Sequence, residues 1–251
     1  MLTAILTDIH ANREAFDAVM KAVAASGAAR IVLLGDLVGY GPDPGYIVER
    51  AAELAARGAL MIRGNHDDAA LTGPAGMSEL ARDAILWTSE QLAQDHRDFL
   101  RGLPLSAEDG ALLFVHDSAD QPGRWHYVHD VEAASRCLAA STARTVFCGH
   151  THVPLIFYAL RGNTPVRFAP LDGVAAPLPA ARRHVVVVGS VGQPRDGNPA
   201  ACFALFDDDA AEVTMVRVPY DVERTAARIE AAGLPPWLGM RLRIGGEDAA
   251  A

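Results

Sequence analysis

Three short apolar segments in the first 65 residues each end in polar residues, and a helical pattern separates each from the next. "LTAILTD" (Leu2–Asp8), "ARIVLLGD" (Ala29–Asp36) and "ALMIRGN" (Ala59–Asn65) read as buried strands. Between the first two, Asn12–Ser26 has a helical period that puts Ala15, Val19, Ala22 and Val23 on one face. A second helix is expected around Pro44–Arg57. Strand, helix, strand, helix, strand calls for parallel pairing with the helices outside the sheet.

The pattern then loosens. Leu71–Arg101 reads as mostly helical with a break near Gly73–Gly76, "ALLFVHD" (Ala111–Asp117) as a strand, and Ser118–Val128 as a loop. Asp130 is placed to cap a helix running through Ala140, and "RTVFCGHTH" (Arg144–His152) is a strand feeding a loop. After Pro154 come "LIFYAL", "VRFAP", "HVVVVGS", "ACFALFD" and "AEVTMVRV", separated by turn signals such as Arg161–Gly162–Asn163 and Asp207–Asp208–Asp209. These read as adjacent, partly antiparallel strands. Tyr220–Ala232 reads as a final helix and residues 242–251 as a ragged tail. One domain over residues 1–251, containing two sheets, is the expectation.

The 251 residues are 50% hydrophobic, enough for a sizeable core. A net charge of -9 argues against a broad basic surface for nucleic acid. The start has no basic-then-apolar leader pattern and no apolar stretch approaches a membrane span, so a cytoplasmic protein without a membrane partner is expected. Cys137, Cys148 and Cys202 are widely spaced, form no CxxC pair and read as buried reduced thiols.

The chemistry sits where strands end. Asp8 and His10 follow the first strand, Asp36 the second, Asn65 and His66 the third, His116 a later one, and His150 and His152 another. Polar groups at the carboxyl ends of parallel strands line the crevice where α/β proteins bind ligands. Five of the nine histidines fall in these positions, each within three residues of an Asp, Asn or Gly. Asp8 and His10 point the same way if strand geometry continues through them. A carboxylate can bridge two cations, an imidazole offers one nitrogen and orients itself through the other, and an amide adds a neutral oxygen. Such a set can hold two borderline metals roughly 3.5 Å apart, as in two-metal hydrolases.

Five motifs in order, "DIH" (Asp8–His10), "GDLVG" (Gly35–Gly39), "GNHD" (Gly64–Asp67), His116 and "GHTH" (Gly149–His152), resemble the calcineurin-like metallophosphoesterase superfamily. "GDLVGYGPDP" and "GSVGQPRDGNP" are similar to a small bacterial phosphodiesterase or serine/threonine-phosphatase-like branch. The resemblance implies a four-layer α/β/β/α sandwich with two mixed β-sheets. It also implies dimetal hydrolysis of a small phosphodiester or phosphomonoester by a metal-bridging hydroxide. Asp8, His10 and His152 would hold one divalent ion (Mn, Fe, Zn, Ni or Co), Asn65, His116 and His150 the other, and Asp36 would bridge them. His66 would lie near the substrate, as hydrogen-bond or proton donor to it. Asp67 would either orient His66 or cap a helix.

Two departures stand out. Asp117 follows His116 where the family usually has glycine, and could hold a turn or tune the site. Thr7 stands where the branch commonly has serine. Arg63, Arg124, Ser190 and Arg195 are candidate substrate contacts, though salt bridges or loop packing suit them too. The stretch "VVVGSVGQPRDGNPA" (Val186–Ala200) reads as a strand and a stiff loop turning near the metals or packing under "GHTH". Trp125 and Tyr127 could stack a nucleobase, and His126 and His129 could form a rim. Protein dephosphorylation is the rival activity. It is weakened because "GDLVGYG" lacks the second arginine motif, GD-x-x-D-R-G, of the protein phosphatases. A metal-binding scaffold without catalysis is the other alternative.

Overall fold

A computed structural model describes residues 1–160 and 164–246. The elements run β1 (Leu2–Leu6), α1 (Arg13–Ser26), β2 (Arg30–Leu33), α2 (Pro44–Ala56), β3 (Leu60–Met61), α3 (Asn65–Thr72), α4 (Glu79–Gln91) and α5 (Gln94–Gly102). Next come β4 (Ser106–Asp109), β5 (Leu112–Val115), α6 (Val131–Ala139) and β6 (Thr145–Cys148). The chain ends with β7 (Leu155–Ala159), β8 (Val166–Phe168), β9 (Ala175–Pro177), β10 (Arg183–Val187), β11 (Ala201–Asp207), β12 (Glu212–Val218), α7 (Val222–Ala231) and α8 (Pro236–Ile244).

The strands form two mixed sheets, ordered β3-β2-β1-β11-β12-β9 and β4-β5-β6-β10-β7-β8. β1, β2 and β3 pair in parallel, as the strand–helix alternation requires, and β11 closes antiparallel on β1. Successive side chains of a strand face opposite sides, and the central strands β1, β6 and β10 are buried on both. Ile5, Val32, Phe114, Phe147 and Val186 fill the space between the sheets. Ala4, Leu6 and Leu33 face the other way, onto α1 and α2, while Val185 and Val187 face α6. The result is two facing sheets flanked by helices. Asn12 caps α1 by accepting from Ala15 N–H, and Asp130 caps α6 through Ala133 N–H.

Three sequence expectations are corrected. Asn65 and His66 open helix α3 and do not simply trail a strand. Tyr220–Ala232 is not the last helix, because α8 follows α7. Leu242, placed in a ragged tail, is buried in α8 beside Leu238, Ile229 and Tyr40. The helix stops where Gly245 turns left-handed, at φ 61°. Residues 247–251 and the Arg161–Gly162–Asn163 turn lie outside the described residues. Strands β4 and β9 were not anticipated: β4 is largely exposed and polar, and β9 has three residues. Among the described residues no helix is long and apolar enough to cross a membrane.

Candidate dimetal site

The loops that leave β1, β2, β5 and β6 meet at one end of the two sheets. Strand geometry does not continue through "DIH": β1 stops at Leu6, and both Asp8 and His10 are left-handed, with φ 53° and 49°. Asp36, His150 and His152 are also left-handed, at φ 52°, 67° and 59°. Non-glycine residues in this region carry strain of about 1 kcal/mol or more each, and such strain gathers at functional sites. Here the surrounding main chain holds it. Asp8 N–H donates to Gly35 O, His10 N–H to Asp36 O and Gly149 N–H to His116 O.

Two groups of metal-capable side chains result, Asp8–His10–Asp36–His152 and Asp36–His116–His150, with Asp36 in both. All six residues are buried. Asn65 joins the second group, its Oδ1 lying 3.1 Å from His116 Nε2. The tautomers follow from the partners, since a carbonyl oxygen can only accept. His10 Nδ1 faces Val38 O at 3.1 Å and His152 Nδ1 faces Gln193 O at 2.6 Å, so each Nδ1 carries the proton. Their bare Nε2 atoms then face each other at 3.1 Å, and His152 Nε2 lies 3.2 Å from Asp8 Oδ1. Lone pairs turned on one another in a buried place fit a cation between them. Asp8 Oδ1 and Asp36 Oδ2 make the same case, as buried oxygens lacking a hydrogen-bond donor among the described residues.

The other carboxylate oxygens are fixed. Asp8 Oδ2 accepts from Thr7 Oγ1–H at 2.8 Å and His150 N–H at 3.0 Å, and Asp36 Oδ1 accepts from His66 N–H at 2.7 Å. Burial opposes ionisation of Asp8 and Asp36, but neighbouring imidazoles, the charged His116 among them, outweigh it and hold both carboxyls below their ordinary value. Burial pushes His10 and His152 down as well, and His150 down to about 3. His116 moves the other way. Burial opposes its charge, yet Asp36, 3.3 Å away, raises it to about 10.

His66 lines a cavity of about 870 Å³ beside these groups, with Tyr40, Trp125, Arg124, Arg195 and Arg241. Its ring lies 4.4 Å from that of Tyr40 and 4.8 Å from that of His10, centre to centre. Burial pushes His66 down to about 4, which leaves it neutral. Asp67 does not touch the His66 ring. Its oxygens accept from Gly64 N–H at 3.0 Å and Val38 N–H at 3.1 Å, so it caps α3 and ties it to the β2 loop. Burial and the charge of Asp36 push it up to about 7.

The other candidates separate cleanly. Arg124 and Arg195 line the cavity. Arg63 turns away from it, pairing with Asp68 and donating to Arg101 O. Ser190 is buried and donates to Asp8 O at 2.8 Å, which makes it a clasp under the metal-binding loop. The Gly189–Asn198 loop is held against the exit of β1. Val191 and Gly192 N–H donate to Thr7 O and Asp8 O, and a Cβ on Gly192 would overlap Ile9 O. Asp117 is buried and accepts from Gly123 and Trp125 N–H at 3.2 and 2.7 Å. Trp125 O in turn receives His150 Nε2–H at 3.1 Å, and the Tyr127 ring stacks on His150 at 4.0 Å. His126 and His129 are exposed and outside the cavity lining.

Tyr40, Gln193 and Arg241 escaped the sequence reading. Tyr40 lies inside "GDLVGYGPDP" and Gln193 inside "GSVGQPRDGNP", and that position is their one signal in the sequence. Arg241 carried none.

The calcineurin-like phosphoesterase superfamily domain profile matches residues 1–210. A metallophosphoesterase of Sphaerobacter thermophilus of known structure is 37% identical, with 98% of this chain and 100% of that chain covered and a TM-score of 0.86. A hypothetical protein of Pyrococcus horikoshii is 22% identical over 98% of this chain and 99% of its own, with a TM-score of 0.79, and shares the fold. An uncharacterized protein of Methanocaldococcus jannaschii is 32% identical over 256 residues, covering 97% of this chain and 98% of its own. With this profile and these likenesses, the chain belongs to the calcineurin-like phosphoesterase superfamily and is a metallophosphoesterase.

Proposed function

We propose that the protein hydrolyses a small phosphodiester or phosphomonoester with two divalent transition-metal ions. The observation that carries this reading is the sharing of Asp36 between two convergent, buried donor sets. Asp8, His10 and His152 would hold one ion, Asn65, His116 and His150 the other. The donor set of oxygen and imidazole groups suits Mn, Fe, Zn, Ni or Co, with manganese the first to try. When bound, two such ions acidify a water and polarise the phosphoryl oxygens.

The chain's own groups do the rest. Val38 O and Gln193 O fix His10 and His152 so that their Nε2 lone pairs converge. Neutral His66, at the cavity wall, donates a hydrogen bond to a phosphoryl or leaving oxygen, and Asp67 positions α3 beneath it. Arg124 and Arg195 meet the substrate's negative charge. Protein dephosphorylation is the weaker reading, because Arg63, which it would use, turns away from the cavity. A noncatalytic scaffold would have no use for His66 at the cavity wall. A cytoplasmic setting is part of the proposal and agrees with the three buried, unpaired cysteines. So is the absence of nucleic-acid and membrane partners.

The test is hydrolysis of bis-p-nitrophenyl phosphate and p-nitrophenyl phosphate by metal-stripped protein resupplied with Mn, Zn, Ni or Mg. Metal-dependent turnover that Asp36→Asn abolishes supports the reading, and the diester-to-monoester ratio selects the substrate class. No turnover with two ions bound would refute it.

A further inference from the structure

We propose that Arg195 and Arg241 form a second anion subsite that selects substrates carrying another phosphoryl group beyond the scissile ester. The inference rests on the reading above for which phosphate the dimetal centre takes.

Gln193 joins the two places. Its main-chain oxygen accepts from His152 Nδ1–H at 2.6 Å, while its side-chain Oε1 accepts from Arg195 Nη2–H at 3.0 Å and Arg241 Nη1–H at 3.4 Å. Arg195 N–H also donates to His152 O at 3.3 Å. One buried residue thus fixes the guanidinium pair relative to a metal-binding histidine. The Arg195 guanidinium lies 5.8 Å from the centre of the Tyr40 ring, and that ring neighbours His66, so the wall is continuous from the donor cluster to the arginines.

Charge and size agree. The chain carries a net charge of -9, yet the cavity wall holds three arginines against one carboxylate, Asp68, which pairs outward with Arg63. Guanidinium groups match phosphoryl oxygens in charge and fork geometry. A cavity of about 870 Å³ is far larger than one phosphate needs. Arg241 comes from α8, beyond the residues 1–210 that the superfamily profile matches.

The test is calorimetric titration of metal-loaded protein with α,ω-alkanediol bisphosphates of increasing chain length and with the matching monophosphates. The expected result is one optimal length at which the bisphosphate binds at least about tenfold tighter than its monophosphate, because the second contact is intramolecular. Arg241→Gln should reduce that advantage below about threefold, and Arg241→Lys should keep an intermediate part of it. Thermal unfolding of each variant checks that it is folded. The proposal fails if no length gives an advantage, or if Arg241→Gln weakens both ligand classes equally, which would put Arg241 on the scissile phosphate. If the loaded protein binds bisphosphates in this way but turns over neither nitrophenyl ester, the hydrolase reading falls and the subsite stands.

Discussion

His10 and His152 lean on the carbonyls of Val38 and Gln193, while His150 leans on the carbonyl of Trp125. Val38 and Gln193 are buried residues of segments packed around the exit of β1. Trp125 belongs to a loop that also carries exposed Arg124, His126 and Tyr127 and is tied down by the Asp117 carboxylate. The first half of the donor set therefore inherits its geometry from the packing of the β1, β2 and β10 loops. The second half draws His116 from the core, through Leu34 O at 2.7 Å, but supports His150 through a partly exposed loop whose Trp125 turn is tied by the Asp117 carboxylate. The same residue types are held by unequal supports, and the second half should be the softer one.

Asp36→Asn gives the largest effect, because one carboxylate serves both halves. We expect loss of both ions by elemental analysis and a fall in kcat/KM on the order of 10³-fold or more. Two ions retained at full affinity would show that the halves are independent. His66→Ala should keep both ions yet lower kcat by about 10²-fold, more for poor leaving groups than for p-nitrophenolate. An equal loss on all esters would remove His66 from the leaving oxygen. Asp117→Gly installs the residue usual in the family and releases the Trp125 turn. It should weaken one of the two ions by about 10- to 100-fold in a stepwise metal titration and leave the other unchanged. If both weaken together, the contrast between the halves is wrong.

Proton uptake sharpens the contrast further. His10, His150 and His152 are held below the ordinary value of 6.5 and His116 above it, at about 10. A metal ligand must be neutral, so at pH 8 loading should release about one proton, from the His116 half. Metal-binding enthalpies measured in buffers of different ionisation heat report this number directly. The lowered histidines give the opposite pH trend. In the metal-free protein the unfolded chain takes up protons below pH 6.5 that the folded chain refuses, down to about 4 for His66 and about 3 for His150. Their contribution is thus lost as pH falls through that window. His116 favours the folded state below 6.5, and that contribution is lost as pH rises toward 10. Denaturant midpoints across the range should peak between these limits, and a flat profile would contradict both signs.

Much of this was legible beforehand for local reasons. Sequence pattern placed β1, α1, β2 and α2, because short apolar runs and helical periodicity are written in neighbouring residues. The donors stood out because Asp, Asn and His clustered at strand exits. What stayed open was equally physical. Asp67 suited either orienting His66 or capping a helix, and its oxygens point at Gly64 and Val38 N–H. Ser190 suited either a substrate contact or loop packing, and it is folded under Asp8. Helix α8 was hidden by Pro235, Pro236 and Gly239, which interrupt a helical pattern in sequence, although Gly239 lets α8 pack closely on Ala226.

From the sequence alone came the α/β alternation, the donor types and their order, because residue chemistry and periodicity are local properties. Tertiary structure alone decided that five of these donors, Asp8, His10, Asp36, His150 and His152, adopt left-handed conformations and that Gln193 links His152 to Arg195 and Arg241. It likewise decided that Trp125 supports His150. The supports involve main-chain carbonyls, which every residue carries, so only the meeting of distant segments could assign them.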